Sequence, residues 1–287
     1  MLEAYAFLAV FTVQILATSV LYPAWFVRYV RLRLTRLPAD RVAQMYPDVD
    51  VAQAQERILR RYRALNAGFA VLGLLLLVWL YSYLQRPDWN PRPLEVLVTG
   101  YFSVALVVPL GLIVWFGLRF NKQHKRPMPQ TKRKAVLQRR GLFDFVSPLA
   151  VVVAVVGYVL FAAFVIYVRE RPFPGFAGLI TLAGVTLTYS WIALVIYIML
   201  YGKNRNQLDT YAGRLHAIGT TVKSGVYTCI AIVVYVSLNF ALRMLELQRW
   251  EPFALSSFYV ICALLASLGV MRYRADTAES DQSLVGV

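Results

Sequence analysis

The stretch "LQRPDWNPRP", residues 84–93, closes a long apolar run with arginine, tryptophan and three prolines. The pattern half-returns as "VRERPFPG" at 168–175 and "LQRWEPF" at 247–253. Proline lacks an amide donor and clashes with the preceding turn, so it ends a helix. Tryptophan and phenylalanine beside arginine suit the headgroup depth of a bilayer, where an amphipathic ring meets both solvents. Read together, Arg86, Arg171 and Arg249 with Trp89, Phe173 and Trp250 are caps on three helical hairpins that emerge from a membrane. Their separations, 85 and 78 residues, predict a repeat of two spans, a short outer turn and a longer connector.

Composition agrees. Hydrophobic residues make up 59% of the 287-residue chain and charged residues 16%, against about 45–50% and about 25% in soluble domains. Crossing a hydrocarbon core takes roughly 20 apolar residues, and such runs fall at about 4–27, 66–84, 95–118, 145–168, 176–201, 224–247 and 253–271. The expected fold is all-α, a polytopic bundle of seven transmembrane helices in one domain over 1–274, with a flexible cytoplasmic tail at 275–287. The first run has no basic leader and no small-residue cleavage site, which predicts a retained helix and not a signal peptide.

Charge predicts orientation. Of 30 lysines and arginines, 24 fall in the segments 28–65, 119–143 and 202–223 and the tail, whereas Arg86, Arg92, Arg169, Arg171 and Arg249 lie on the other side. Basic loops stay cytoplasmic, so the amino terminus is expected outside and the carboxyl terminus inside, in a plasma membrane of the bacterial inner-membrane kind. The net charge of +15 is then mostly topology, with the anionic inner leaflet as its partner and no nucleic acid required.

The connectors carry more pattern. In "DVAQAQERILRRYRALN", residues 50–66, Asp50 is a candidate cap, and Val51, Ala54, Ile58, Tyr62 and Leu65 recur at helical spacing. With Arg57, Arg60, Arg61 and Arg63 beside that stripe, 51–65 predicts an interfacial amphipathic helix lying in the headgroups. "LDTYAGRLHAI" at 208–218 repeats the pattern more briefly, and "TKRKAVLQRR" at 131–140 is more basic and less periodic. The expected lipid-interface residues are Arg57, Ile58, Arg60, Arg61, Tyr62, Trp89 and Trp250. Pro23 and Pro109 are expected to kink the first and third spans. Small-residue stripes, Ala177, Thr181, Gly184 and Thr188 on the fifth span and Cys262, Ala266 and Gly269 on the seventh, predict close packing inside the bundle.

Motifs for chemistry are sparse. His124 and His216 sit in basic connectors without a metal-ligand spacing, and neither a phosphate loop, a G-x-S-x-G elbow nor a dinucleotide fingerprint occurs. Acids, histidines and lysines are missing from the middle of every predicted span, and proton-coupled carriers and intramembrane hydrolases place such groups there. Arg243 and Glu246, three apart on the sixth span, are expected to face one way and pair, with Asn239 one turn deeper as a polar neighbour. These three are the candidate ligand site, and neither a metal nor a cofactor is expected. The predicted function is a non-catalytic integral membrane protein, a scaffold, assembly or accessory subunit with a basic lipid-binding cytoplasmic face, working with a membrane-protein partner or a second copy. A channel or carrier for an uncharged, lipid-like or anionic solute is the alternative, and a lipid-acting enzyme the third reading.

Overall fold

In the computed structural model residues 2–35, 39–124, 141–169, 176, 178–202 and 211–267 are described, and among them the chain is helical with no strand. The helices are α1 (Leu2–Leu16), α2 (Tyr22–Thr35), α3 (Ala39–Met45), α4 (Val51–Leu84), α5 (Pro91–His124), α6 (Pro148–Val168), α7 (Gly178–Tyr201) and α8 (Tyr211–Met244). A last helix, α9, spans Gln248–Ser267. Seven helical segments are long and apolar enough to cross a membrane: Leu2–Leu32, Leu215–Met244 in α8, and α4, α5, α6, α7 and α9. The expected end of the seventh span at 268–271, the 131–140 connector, Arg171 and Phe173, and the tail at 275–287 lie outside the described residues.

Local chemistry explains several boundaries. Asp50 caps α4 by accepting the Gln53 amide at 3.0 Å, and Ser147 caps α6 by accepting from Ala150 at 3.3 Å with Pro148 next in line. Upstream of Pro23, where a kink is expected, a π-helical turn, Ala17–Leu21, joins α1 to α2. Pro23 has no N–H to give the carbonyl four residues back, and the helix answers by widening a turn upstream. Pro109 sits inside α5 without ending it.

Two helix groups build the bundle. Phe7, Phe11 and Ile15 of α1 pack with Leu80 and Leu84 of α4, with Leu94, Val98 and Tyr101 of α5, and with Leu255 of α9. Gly73 permits this approach, because a Cβ there would stand 2.7 Å from the Tyr101 hydroxyl. Ala150, Ala154, Phe161 and Val165 of α6 pack with Val185 of α7 and with Val222, Val226, Val233 and Phe240 of α8. The third hairpin is thus split: α8 joins the second group and α9 the first. Lipid is as apolar as leucine, so the groups are specified by fit and by hydrogen bonds. Tyr189 donates to the Cys229 carbonyl at 2.7 Å, and Ser19 bonds the Tyr101 hydroxyl at 2.9 Å.

Two packing expectations fail. Gly184 and Thr188 face outward from α7, with open space beyond Gly184, and the buried α7 side runs through Val185. The Gly184–Thr188 part of the fifth-span stripe is therefore not an internal contact, while Thr181 is half-buried and Ala177 lies outside the described residues. On α9, Cys262 and Ala266 are half-buried while Ala263 and Ser267 face inward, and Gly269 is outside the described residues. The helix register, rotated by one residue from the stripe, decides both cases.

α4 corrects the predicted surface helix. It runs 34 residues without a break, as do α5 and α8. That is about 51 Å at 1.5 Å per residue, well beyond a hydrocarbon core of about 30 Å. Residues 51–65 are the first four turns of the same rod, with no joint at which they could turn into the membrane plane. Their stripe meets protein: Leu59 and Tyr62 are buried against Val27, with Phe26 and Ile113 beside them. Tyr62 is therefore not a lipid-interface residue, since the Phe26 ring stands 5.3 Å from its own. Ile58 is half-buried and Arg57, Arg60 and Arg61 are exposed.

The surplus length of α4, α5 and α8 projects at one end of the bundle, because alternate helices run antiparallel. Glu56 binds Arg31 through both carboxylate oxygens, the Nε bond being 3.2 Å, and Arg63 at 3.1 Å, tying α2 to α4. Tyr46, after α3, donates to Asn121 Oδ1 of α5 at 2.6 Å. Burial pushes the Tyr46 phenol up, which keeps it a donor.

Candidate functional site at the closing turn of α8

α8 ends in a Schellman turn. The Leu247 amide bonds the Leu242 carbonyl at 2.8 Å and the Glu246 amide bonds the Arg243 carbonyl at 3.2 Å. This places Glu246 at the left-handed position, φ 58°, which glycine usually takes. Glu246 is past the helix and exposed, so the expected i, i+3 pair with Arg243 does not form.

Arg243 pairs instead across the turn. Its Nε lies 2.8 Å from Glu251 Oε1 and its Nη2 3.1 Å from Oε2, a bidentate fork on a carboxylate whose side chain is only 4% exposed. Glu251 lies in the first turn of α9, where a helix amino terminus favours an anion. Glu95, one turn into α5, faces Glu251 with Arg243 and Arg92 nearby. Its Oε1 is buried and has no donor among the described residues. Two carboxyls and one guanidinium therefore join α5, α8 and α9, the helices that link the two groups.

Aromatic rings line the junction. Tyr235, two turns below Arg243 on α8, stacks on Phe258 of α9 at 4.7 Å. Tyr259 stacks on Phe102 of α5 at 4.1 Å and donates to Thr99 Oγ1 at 3.2 Å. Asn239 is half-buried between the Tyr235 and Arg243 levels. Of the predicted site, Arg243 and Asn239 are on this face and Glu246 is not; Glu95 and Glu251 take its place.

The outer-turn aromatics divide. Trp89, expected in the headgroups, is buried in the first core with Ala4, Leu84 and Leu94, and the Arg249 guanidinium covers it at 5.6 Å. Trp89 is therefore a core residue and not a lipid-interface one. Trp250 stays half-buried, edge-on to Phe253 at 5.6 Å.

A second polar feature lies deeper. Gln14 on α1 is 0% exposed, and neither its Nε2 nor its Oε1 has a partner among the described residues. One turn on, Thr18 bonds the Gln14 carbonyl at 2.8 Å, and Ser19, in the π-turn, meets Tyr101. A search for charge in the spans passes over a neutral amide, and glutamine in the apolar run "FTVQILATS" was the signal available.

The seven apolar helices mark an integral membrane protein. No family model, curated protein or solved structure matches the chain.

Proposed function

We propose that the chain is a non-catalytic component of a bacterial inner membrane, amino terminus outside and carboxyl terminus inside, that serves as a scaffold, assembly or accessory subunit. The observation that carries this reading is the basic end. α4 overhangs the hydrocarbon by several turns, is braced to α2 through Glu56, and presents Arg57, Arg60 and Arg61 to the surroundings. A rigid cationic platform at an anionic leaflet suits holding a partner better than turning over a substrate. Replacing Arg57 and Arg60 by glutamate should leave insertion and thermal unfolding unchanged. The native assembly extracted from membranes should shrink on a non-denaturing gel to the single chain. Unchanged migration, or a single chain already in the unaltered protein, contradicts the scaffold role.

Gln14 favours a second reading, a carrier or channel for an uncharged, lipid-like or anionic solute. A fully buried carboxamide with both ends unspent is costly unless something fills it.

A further inference from the structure

Arg61 of α4 and Arg119 of α5 stand on opposite flanks of one aromatic pair. The Arg61 Cζ lies 5.8 Å from the Phe116 ring centre, Phe116 and Trp115 are 4.9 Å apart edge to face, and the Arg119 Cζ lies 5.4 Å from Trp115. Both distances fall within cation–π range, which orients a guanidinium while leaving its N–H groups free to donate. Neither arginine has a carboxylate partner among the described residues, whereas Glu56 engages Arg31 and Arg63 nearby. Behind this arrangement the two helices are held together where Ile113 of α5 packs against the cluster of Val27, Leu59 and Tyr62. Below it, Val114, Trp115 and Leu118 are 59%, 50% and 65% exposed, an apolar strip one turn from Arg119.

We propose that this Arg61–Phe116–Trp115–Arg119 arrangement is a binding site for an anionic phospholipid carrying two phosphates. The two guanidinium groups take the phosphates, and the acyl chains run down the strip beside Trp115. A free phosphate has no use for that strip, which commits the site to lipid. An acidic protein segment would need contacts beyond the strip, which ends in the span. The site depends on the basic end meeting an anionic leaflet and not on the scaffold role, so a failed assembly gel leaves it standing.

The test uses the full chain in phosphatidylcholine nanodiscs, titrated with tetraoleoyl cardiolipin and read by native mass spectrometry. Arg61→Gln with Arg119→Gln should weaken binding by about 30-fold, since each basic group near an anionic surface contributes about fivefold. Arg31→Gln should change nothing. If the double variant does not fold, Arg119→Gln alone should lose about fivefold. Equal binding in the variants, equal loss in Arg31→Gln, or displacement of the lipid by pyrophosphate at matched concentration overturns the proposal. So does an acidic peptide binding at those arginines while cardiolipin does not.

Discussion

Arg243 and Glu251 differ from an ordinary surface pair because the carboxylate is almost wholly enclosed. Removing one partner from a buried pair leaves the other uncompensated and costs about 3 kcal/mol, whereas replacing both by apolar residues of like volume is close to neutral. Arg243→Met should therefore lower the unfolding free energy by about that amount, and Arg243→Met with Glu251→Leu should recover most of it. Glu246→Gln should change it by no more than about 0.5 kcal/mol. Unfolding in detergent micelles measures all three, and a large Glu246 effect would restore the pairing expected from sequence. That expectation failed for a readable reason. Nothing in "LRMLELQ" marks a helix end, because the left-handed position carries glutamate where glycine would have announced it. Gln14→Leu should raise the melting temperature, since it removes two unpaired polar atoms at little cost in shape. A lower melting temperature would show that the amide has a partner, and a rise accompanied by selective loss of solute flux would favour the carrier reading.

At the scale of elements, the apolar runs were legible because each span must satisfy its backbone internally and present side chains to lipid. What single-chain periodicity could not convey is continuity. The boundary between the basic stripe of α4 and its apolar half falls at Leu65–Asn66–Ala67–Gly68, which reads as a joint, yet the helix passes through it. Asn66 is absorbed by bonding back to the Tyr62 carbonyl at 2.8 Å. The same stripe that suits a headgroup surface also suits a neighbouring helix, and only the partner, Val27 with Phe26, distinguishes them. Trp89 illustrates the same ambiguity, since an interfacial aromatic and a core aromatic share one sequence signature. Spin labels at Gln53 and Tyr81, both exposed, test the continuous rod. A straight helix separates these positions by about 42 Å, whereas a right-angle bend near Asn66 would bring them to about 30 Å. A double electron–electron resonance distance near the shorter value would restore the surface helix.

For the whole molecule, alternation of seven spans would gather the basic ends of α2, α4, α5 and α8 on one face and the closing turns at Arg86 and Arg249 on the other. Charge counting leads to that partition as an expectation without knowledge of any contact, because topology depends on which loops cross and not on how helices pack. The grouping of α1, α4, α5 and α9 against α6, α7 and α8 was not legible. It rests on long-range matches such as Phe11 with Tyr101 and Tyr259 with Thr99, which leave no local trace. The most direct test of this account is sidedness. In a background with Cys229 and Cys262 replaced by alanine, single cysteines at Asp88, Arg249, Gln53 and Gln123 are exposed to a membrane-impermeant maleimide in intact cells and after permeabilisation. Positions 88 and 249 should label in intact cells, and positions 53 and 123 only once the membrane is opened. Labelling of 53 and 88 from the same side would contradict the seven-span arrangement, and the reverse pattern would contradict its orientation.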